Sequence, residues 1–509
     1  MTLDWLQDLD QYAENLDSNG RALLARLLNY IEELSSVNQE LRIENQRLKD
    51  EIAALKGLKG KPDIKPNRQP DCLDASKSGP NQDGKKEKKK REKTADRLPR
   101  SQQIKIDREE IIRLDRSQLP EDVIQRGYRE VTIQNIIFQT DTVVYRLEKL
   151  YSPTTKKFYE AQLSPGLKGK SYGGELEAFV LMLYYQLRVP EEKIVKLLQA
   201  QGIVISAGKI SNLISQQYLD EFKSERNAVL EAGLASTSYQ HIDDTGMRVN
   251  GENCYTFTIC NPYYSSFFTT RRKNSETVKQ LLNELETGPT ESEAVELNGS
   301  ASSPQKKKQL GDYIEILVAD DAGQFHNQTQ HRSLCWIHEG RHYEKLNPVV
   351  KSHQKCLDNF LKDFWAYYHK LKAYQQQPTS QQQLQKLQLY AEFEQLFSRD
   401  TGYEALDYRI SLTKHKKLYL LLVLECPEVP LDNNEAERTL REYVVKRKIS
   451  NGTRTVQGTQ AWEVFLALMD TCRKLGVNFY QYLLDQISKT RDLPALASLI
   501  QQKVAPHPT

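Results

Sequence analysis

The stretch Tyr313–Asp321 (YIEILVADD) constrains the fold more than any other part of this 509-residue chain. It is a near-continuous apolar run that ends in two carboxylates. Such a run predicts a central strand, covered on both faces. Ser236–Asp244 (STSYQHIDD) predicts a second strand that also ends in two carboxylates. Tyr255–Asn261 and Ser265–Arg272 follow as β-rich runs around Asn261-Pro262. Asn274–Leu285 reads as a helix with Ser275 and Glu276 early in it, and Ser333–Trp336 as a further short strand.

Three early strands, a helix, then a strand with an acid at its end predict an α/β fold with a ribonuclease-H-like mixed sheet. Val349–Glu425, which includes the Gln-rich stretch Gln375–Gln388, reads as an all-helical insertion in it. A third acidic cluster lies in Leu431–Arg441 (LDNNEAERTLR), after Pro427 and Pro430. Asp432 or Asn433 can N-cap the helix that follows. With Asp432 as the cap, Glu435 sits at the third helical position and closes a capping box. Glu437 is then left for another role, the plainest being a surface pair with Arg441. Three carboxylate sites on separate elements suit hard divalent cations such as Mg²⁺. Two such ions about 4 Å apart can clamp the attacking and leaving oxygens of a phosphoryl transfer. Solvated acids at strand ends are equally common, and spacing alone leaves both readings open.

The N-terminal region has a different period. Leu27, Leu34, Leu41, Leu48 and Leu55 are seven apart, with Leu24, Ile31, Asn38, Asn45 and Ile52 between them. With the leucines at d and the second set at a, this predicts a parallel two-stranded coiled coil over residues 20–56, and so a homodimer. Residues 57–100 are rich in Gly, Pro, Asn, Asp and Lys and read as a disordered basic linker. Its segment Lys85–Arg100 holds nine basic and three acidic residues: a solvated tether, or a phosphate-binding arm. Residues 101–165 read as a small β-rich module, with a hairpin between Tyr128–Phe138 and Thr142–Glu148. Residues 166–232 read as helices. Gly174–Leu187 is apolar on one face, and Pro190 opens a second helix that Gly202 ends. Ser206 caps a third helix through Tyr218, which makes a helix-turn-helix pattern. Lys209, Ser211, Asn212 and Gln216 are expected to face outward, where they could meet DNA.

A net charge of +3 gives no bulk argument for a nucleic acid partner. Seven cysteines without a Cys-x-x-Cys pair fit reduced thiols and a cytoplasmic protein. No apolar run reaches the ~18 residues of a membrane span. Cys335, His338 and His342 have ligand-like spacing, with His331 a distant fourth, but Cys335 reads better as a core thiol, and no structural zinc is expected. Trp365 and Trp462 read as core. Arg271, Arg272 and Lys273 end a strand and could hold phosphate oxygens. Gly452 and Gly458 bracket a basic loop, Asn451–Gln460, that is either a DNA contact or a plain interhelix loop.

At the acidic clusters the chain resembles the insertion sequence 66 family of bacterial transposases, of the DDE group. His241-Ile242-Asp243-Asp244-Thr245 is similar to the first acid motif, with Asp244 in place of the usual Glu. Leu317-Val318-Ala319-Asp320 is similar to the second, and Asp432-Asn433-Asn434-Glu435-Ala436-Glu437-Arg438 to the third, with Arg447-Lys448 following in place. Cys335-Trp336-Ile337-His338 matches a Cys-x-x-His element after the second acid. The likeness covers about 170–480.

The resemblance implies Asp243, Asp320 and Glu437 as a catalytic, metal-binding triad for two Mg²⁺ ions, with Mn²⁺ able to substitute. It implies DNA, as element ends and target, as the partner, and accessory proteins of the same element. Arg438, Arg447 and Lys448 join Lys209, Ser211, Asn212, Arg271 and Arg272 as expected DNA contacts, while Cys335, His338 and Arg341 have no assigned role. The family's cysteine-rich zinc region has no counterpart, since residues 101–165 contain no cysteine. The expected domains are 1–56, 57–100, 101–165, 166–232, a catalytic domain 233–480 with a low-complexity insert at 286–311 and the helical insertion at 349–425, and a helical tail 481–509. Metal-dependent cleavage and strand transfer on DNA is the expected activity. A catalytically inactive or accessory DNA-binding derivative, and a nuclease that cleaves without joining, are the competing readings.

Overall fold

The computed structural model describes residues 16–55, 139–164, 166–284, 314–377 and 379–504, with a few more between 106 and 133. The linker 57–100 and the insert 286–311 lie outside the described residues. The chain divides into two units, Met1–Glu44 with Thr140–Thr509, and Asn45–Gln139. Of the second unit, the ordered element described is the end of helix α1 (Ser18–Leu55).

The first unit holds a five-stranded mixed sheet. Its strands are β3 (Tyr239–Val249), β4 (Glu252–Cys260), β5 (Ser265–Thr270), β6 (Ile316–Ala319) and β7 (His331–Leu334), in the order β5-β4-β3-β6-β7. The first three form an antiparallel meander, and β6 and β7 add in parallel to β3. All four residues of β6 are buried, as the apolar run predicts. This order is consistent with a ribonuclease-H-like core. Helix α6 (Ser275–Glu284) connects the meander to β6 across residues outside the description.

Among the described residues, α2 (Gly174–Tyr185), α3 (Glu191–Ala200), α4 (Ala207–Ser215) and α5 (Leu219–Leu234) lead directly into the sheet. Ser206 Oγ accepts the Lys209 N–H at 3.2 Å, so the predicted cap forms. Gly202 ends α3 at φ +81°, a conformation that suits glycine. After β7 come α7 (Trp336–Glu344) and the predicted insertion, α8 (Lys351–Gln375), α9 (Thr379–Leu396), α10 (Glu404–His415) and α11 (Lys417–Leu420). The insertion closes a core of its own. Trp336 lies at its centre against Phe364, Tyr367, Phe393 and Phe397, and its Nε1–H donates to the Leu420 carbonyl at 2.8 Å. Helices α12 (Asn434–Ser450) and α13 (Val456–Leu475) then return to the sheet, with Trp462 buried on α13. The tail forms α14 (Phe479–Ser488) and α15 (Leu496–Val504), whose Leu483, Ile487, Leu496 and Ile500 join the main core.

The hairpin is displaced from its expected place. It consists of β1 (Lys149–Ser152) and β2 (Lys157–Glu160), with Tyr151 opposite Phe158 and their rings 4.8 Å apart. Thr142–Glu148 forms no strand, and most of Tyr128–Phe138 lies outside the described residues. β-branched residues favour a strand only where they pack; Val143 and Val144 are exposed. The aromatic pair instead sets the register.

Candidate active site

Asp243 lies on β3, and alternate residues of a strand face opposite ways. His241, Asp243 and Thr245 therefore share one face. That face looks at α12. His241 Nδ1–H donates to Asn433 Oδ1 at 2.9 Å, and Asn433 Nδ2–H donates to the Ile242 carbonyl at 2.9 Å. At the other end of the helix, Arg447 Nη1 donates to Thr245 Oγ1 at 3.2 Å. Asp244 faces the other way, where Lys273 (3.3 Å) and Gln324 (2.7 Å) hold its carboxylate. The partners distinguish two acids that periodicity alone left equivalent.

A second pair is divided in the same manner. The parallel register sets His241 beside Val318; two residues further along each chain lie Asp243 and Asp320. The neighbour Asp321 is engaged elsewhere. Lys416 reaches it at 2.8 Å, His326 at 3.3 Å and Arg332 at 3.7 Å. Burial opposes its charge, yet the hydrogen bond and charge of Lys416, with the charge of Arg332, hold its carboxyl below the usual range. Asp320 Oδ1 accepts the Ala322 N–H at 3.1 Å.

The third acid comes from the first turn of α12. Asn433 occupies the N-cap position, but its side chain is spent on β3 and makes no cap bond. The capping box from Asp432 does not form, because Glu435 turns to Lys474 (3.0 Å) and Arg438 (2.8 Å). Lys474 is itself buried and also donates to the carbonyls of Asn261 and Tyr264, so Glu435 ties α12 to α13 and the β4–β5 turn. Glu437 makes no pair with Arg441. Its Oε1 accepts from Arg341 Nη1 at 3.3 Å and lies 3.5 Å from His338 Nε2, and the same Arg341 nitrogen donates to His338 Nε2 at 3.1 Å.

The Cys-x-x-His element thereby gains a physical role. Cys335 is buried, and its sulfur accepts the Asn433 N–H at 3.2 Å. The Trp336 N–H donates to the Leu431 carbonyl at 2.9 Å. These bonds hold the start of α12 against α7, and α7 carries His338 and Arg341 beside Glu437. His342 lies toward Arg409, Glu339 and Lys416.

Electrostatics link the three acids. Burial first, then the negative charges of Asp320, Asp244 and Glu437, push the Asp243 carboxyl up to about 7, against a bond from the Asp244 N–H. Buried like charges disfavour ionisation unless a cation joins them. Among the described residues no three carboxylate, histidine or cysteine side chains converge closely enough to hold a metal ion. The donor set is nonetheless all oxygen, the chemistry a hard divalent cation takes, and Glu437 is turned onto Arg341 and His338.

Of the expected DNA contacts, Arg271 and Arg272 are exposed at the end of β5. Arg438 is paired with Glu435. Arg447 and Lys448, with Arg248, Tyr255 and Asn451, line a groove of about 720 Å³. The loop after α12 docks on this end of β3: Gly452, at φ +99°, has the Arg248 carbonyl where a Cβ would stand, and Thr453 N–H donates to that carbonyl at 3.1 Å. In the helix-turn-helix region Asn212 is exposed, while the Glu191 carboxylate bonds the Ser211 side chain. Lys209 departs from the expectation. It turns inward to Gln217 (2.6 Å) and the buried Glu177 (3.4 Å), because Glu177 needs a cation at that depth.

Residues 169–461 match the family described as Transposase IS66 family, over more than half of the chain. The chain belongs to the IS66 transposase family. It is also 36% identical over 195 residues to the uncharacterized protein y4jO of Sinorhizobium fredii. That match covers 38% of this chain and 59% of the relative, so the chain spans less than two thirds of the relative's length. The matched family region contains the sheet, Asp243, Asp320, the helical insertion and Glu437. No described helix is long and apolar enough to cross a membrane. Sequence reasoning missed Asn433 as a tertiary anchor and His241 as its partner, although both stand inside the quoted motifs. It also missed Lys416, which nothing in the local sequence distinguishes from its neighbours.

Proposed function

We propose that this IS66-family chain binds the ends of an insertion sequence, cleaves DNA there and joins the freed end to a target. One observation carries the reading. Asp243 and Asp320 continue adjacent parallel strands, and the helix that bears Glu437 is bonded to the same strand beside Asp243. These three residues would hold divalent cations, two Mg²⁺ or Mn²⁺, which supply Lewis-acid stabilisation of the reacting phosphoryl oxygens. Asn433 and Cys335 position Glu437; Arg447 and Lys448 neutralise backbone phosphates near β3. In the first step a water oxygen bonds to phosphorus as the bond to the 3′ oxygen breaks, and that oxygen takes up a proton. In the second, the 3′-hydroxyl attacks a target phosphodiester in line, and the target's own 3′ oxygen leaves as a hydroxyl. Two copies paired through α1 would bring two ends together.

Asp320→Asn and Glu437→Gln are expected to abolish Mg²⁺-dependent nicking of end-containing DNA while leaving end binding in a gel-shift assay intact. Nicking that survives in either variant removes the triad assignment. Wild-type binding without nicking in Mg²⁺ or Mn²⁺ would instead support the inactive derivative, and nicking without joining the nuclease.

A further inference from the structure

Helix α1 has two working faces, and the residues that flank its heptad leucines Leu27, Leu34 and Leu41 on the open face are not Leu24, Ile31 and Asn38. One face is bonded to the helical insertion. The Glu32 carboxylate, buried, accepts the N–H groups of Val349 and Val350 at 2.9 and 2.8 Å, and His353 Nδ1 lies 3.3 Å away. Asn29 Nδ2 donates to the Gly402 carbonyl at 3.2 Å, and its Oδ1 accepts the Glu404 N–H at 3.1 Å. The N–H groups at the starts of α8 and α10 are among those a helix cannot satisfy internally, so a carboxylate and an amide there are stabilising. Leu24 and Ile31, expected at a in the seam, are half-buried on the flank of this face.

The exposed apolar stripe lies elsewhere. Leu23, Leu27, Tyr30, Leu34, Val37 and Leu41 are 46–64% exposed. Their spacing alternates four and three residues, the alternation a two-stranded seam requires. At 3.6 residues per turn the stripe sits roughly 150° around the helix from the middle of the docked face. Six large apolar side chains in one row, left open while a polar face is docked, call for an apolar partner with the same period. A second copy of α1 supplies it.

We infer that two chains pair along this stripe, with Leu27, Leu34 and Leu41 at a and Leu23, Tyr30 and Val37 at d, while Asn29 and Glu32 keep each helix on its own insertion. Asn38 and Asn45 then move from a to the flanking e position. This rests on the proposal that the chain is a dimer, and it specifies the register. It also mounts the pairing helix directly on each catalytic unit.

Sedimentation equilibrium of full-length variants tests it. Tyr30 and Val37 are exposed, so lysine there leaves the single chain folded. Val37→Lys and Tyr30→Lys are each expected to raise the dimer dissociation constant on the order of 100-fold, and Asn38→Lys to leave it nearly unchanged. The reverse order of effects would overturn the register in favour of Leu24 and Ile31 at a. Leu34→Lys breaks the seam in either register; a mass it leaves unchanged, or a monomeric wild type, removes the dimer itself. Hydrogen exchange gives the second arm. Asn29→Ala with Glu32→Ala should leave the dimer intact and expose the Val349 and Val350 amides to exchange on the order of tenfold faster. Unchanged exchange would overturn the docked face.

Discussion

Asn433 spends both of its side-chain bonds on β3, one to His241 and one to the Ile242 carbonyl, and all of these groups are buried. Asn433→Ala leaves a buried ring N–H and a buried carbonyl without partners. At about 1–3 kcal/mol for each orphaned group, a loss of about 2–6 kcal/mol in urea unfolding is expected. The same site sets a pH dependence. Burial holds the His241 ring down to about 4, although the bond to Asn433 favours its charged form. Above the unfolded value of about 6.5 the ring is neutral in both states and contributes no pH dependence. As pH falls from there toward 4, the unfolded chain binds a proton that the folded chain refuses, so stability declines across that window. His241→Gln should flatten the decline, read as the difference between the two proteins' unfolding free energies at pH 7 and pH 4.5. An unaltered slope would show that the ring is not the titrating group. What the sequence left open here is physical. Asn suits an N-cap and a tertiary anchor equally well, and nothing local tells them apart. Asp243 and Asp244 differ only in what lies opposite them.

At the scale of elements, the strands and helices of the family-matched region follow from their patterns. The apolar β6, the meander before it and the helices of 349–425 were all legible because each has a period or a run that one element satisfies. The hairpin was not, since an aromatic pair across the turn, Tyr151 with Phe158, outweighs the β-branched content of the residues before it. Nor was the joint between insertion and sheet. Lys416, just after α10, bridges Asp321 at the end of β6 (2.8 Å) and Glu339 on α7 (3.0 Å). Glu339 is buried and also takes Arg409 and Thr413. Lys416→Met removes one cation from two carboxylates, and a destabilisation of about 2–3 kcal/mol is expected, below the cost of an isolated buried charge because the other partners remain. Since Asp321 adjoins Asp320, nicking should fall as well. Restoring the charge with Lys416→Arg should recover stability more fully than nicking, because a guanidinium does not reproduce the ammonium's point-like geometry. Equal recovery of both would limit Lys416 to a structural role.

Across the whole molecule, a net charge of +3 hides where the charges stand. The acids gather at the middle of β3, just past the end of β6 and at the start of α12. The far end of α12 carries Arg447 and Lys448, which share a groove with Arg248. That groove begins beside Thr245, which at about 3.3 Å per residue lies roughly 7 Å along β3 from Asp243. A duplex or a single strand whose reacting phosphate is at Asp243 would therefore lay further phosphates along the groove. Each phosphate contact releases a counterion, so the logarithm of the binding constant falls with the logarithm of salt by about 0.7 per contact on single strands and about 0.9 on duplex. The triple variant Arg248→Gln, Arg447→Gln, Lys448→Gln should reduce that slope by about 2–3. Gln at the exposed Lys362 of the insertion, on α8, should change it by less than about 0.5. Filter binding from 50 to 300 mM salt measures both. A triple variant that binds more weakly at every salt concentration with an unchanged slope would mean that the groove acts through shape rather than charge. An unchanged affinity as well would mean that DNA leaves the site by another face.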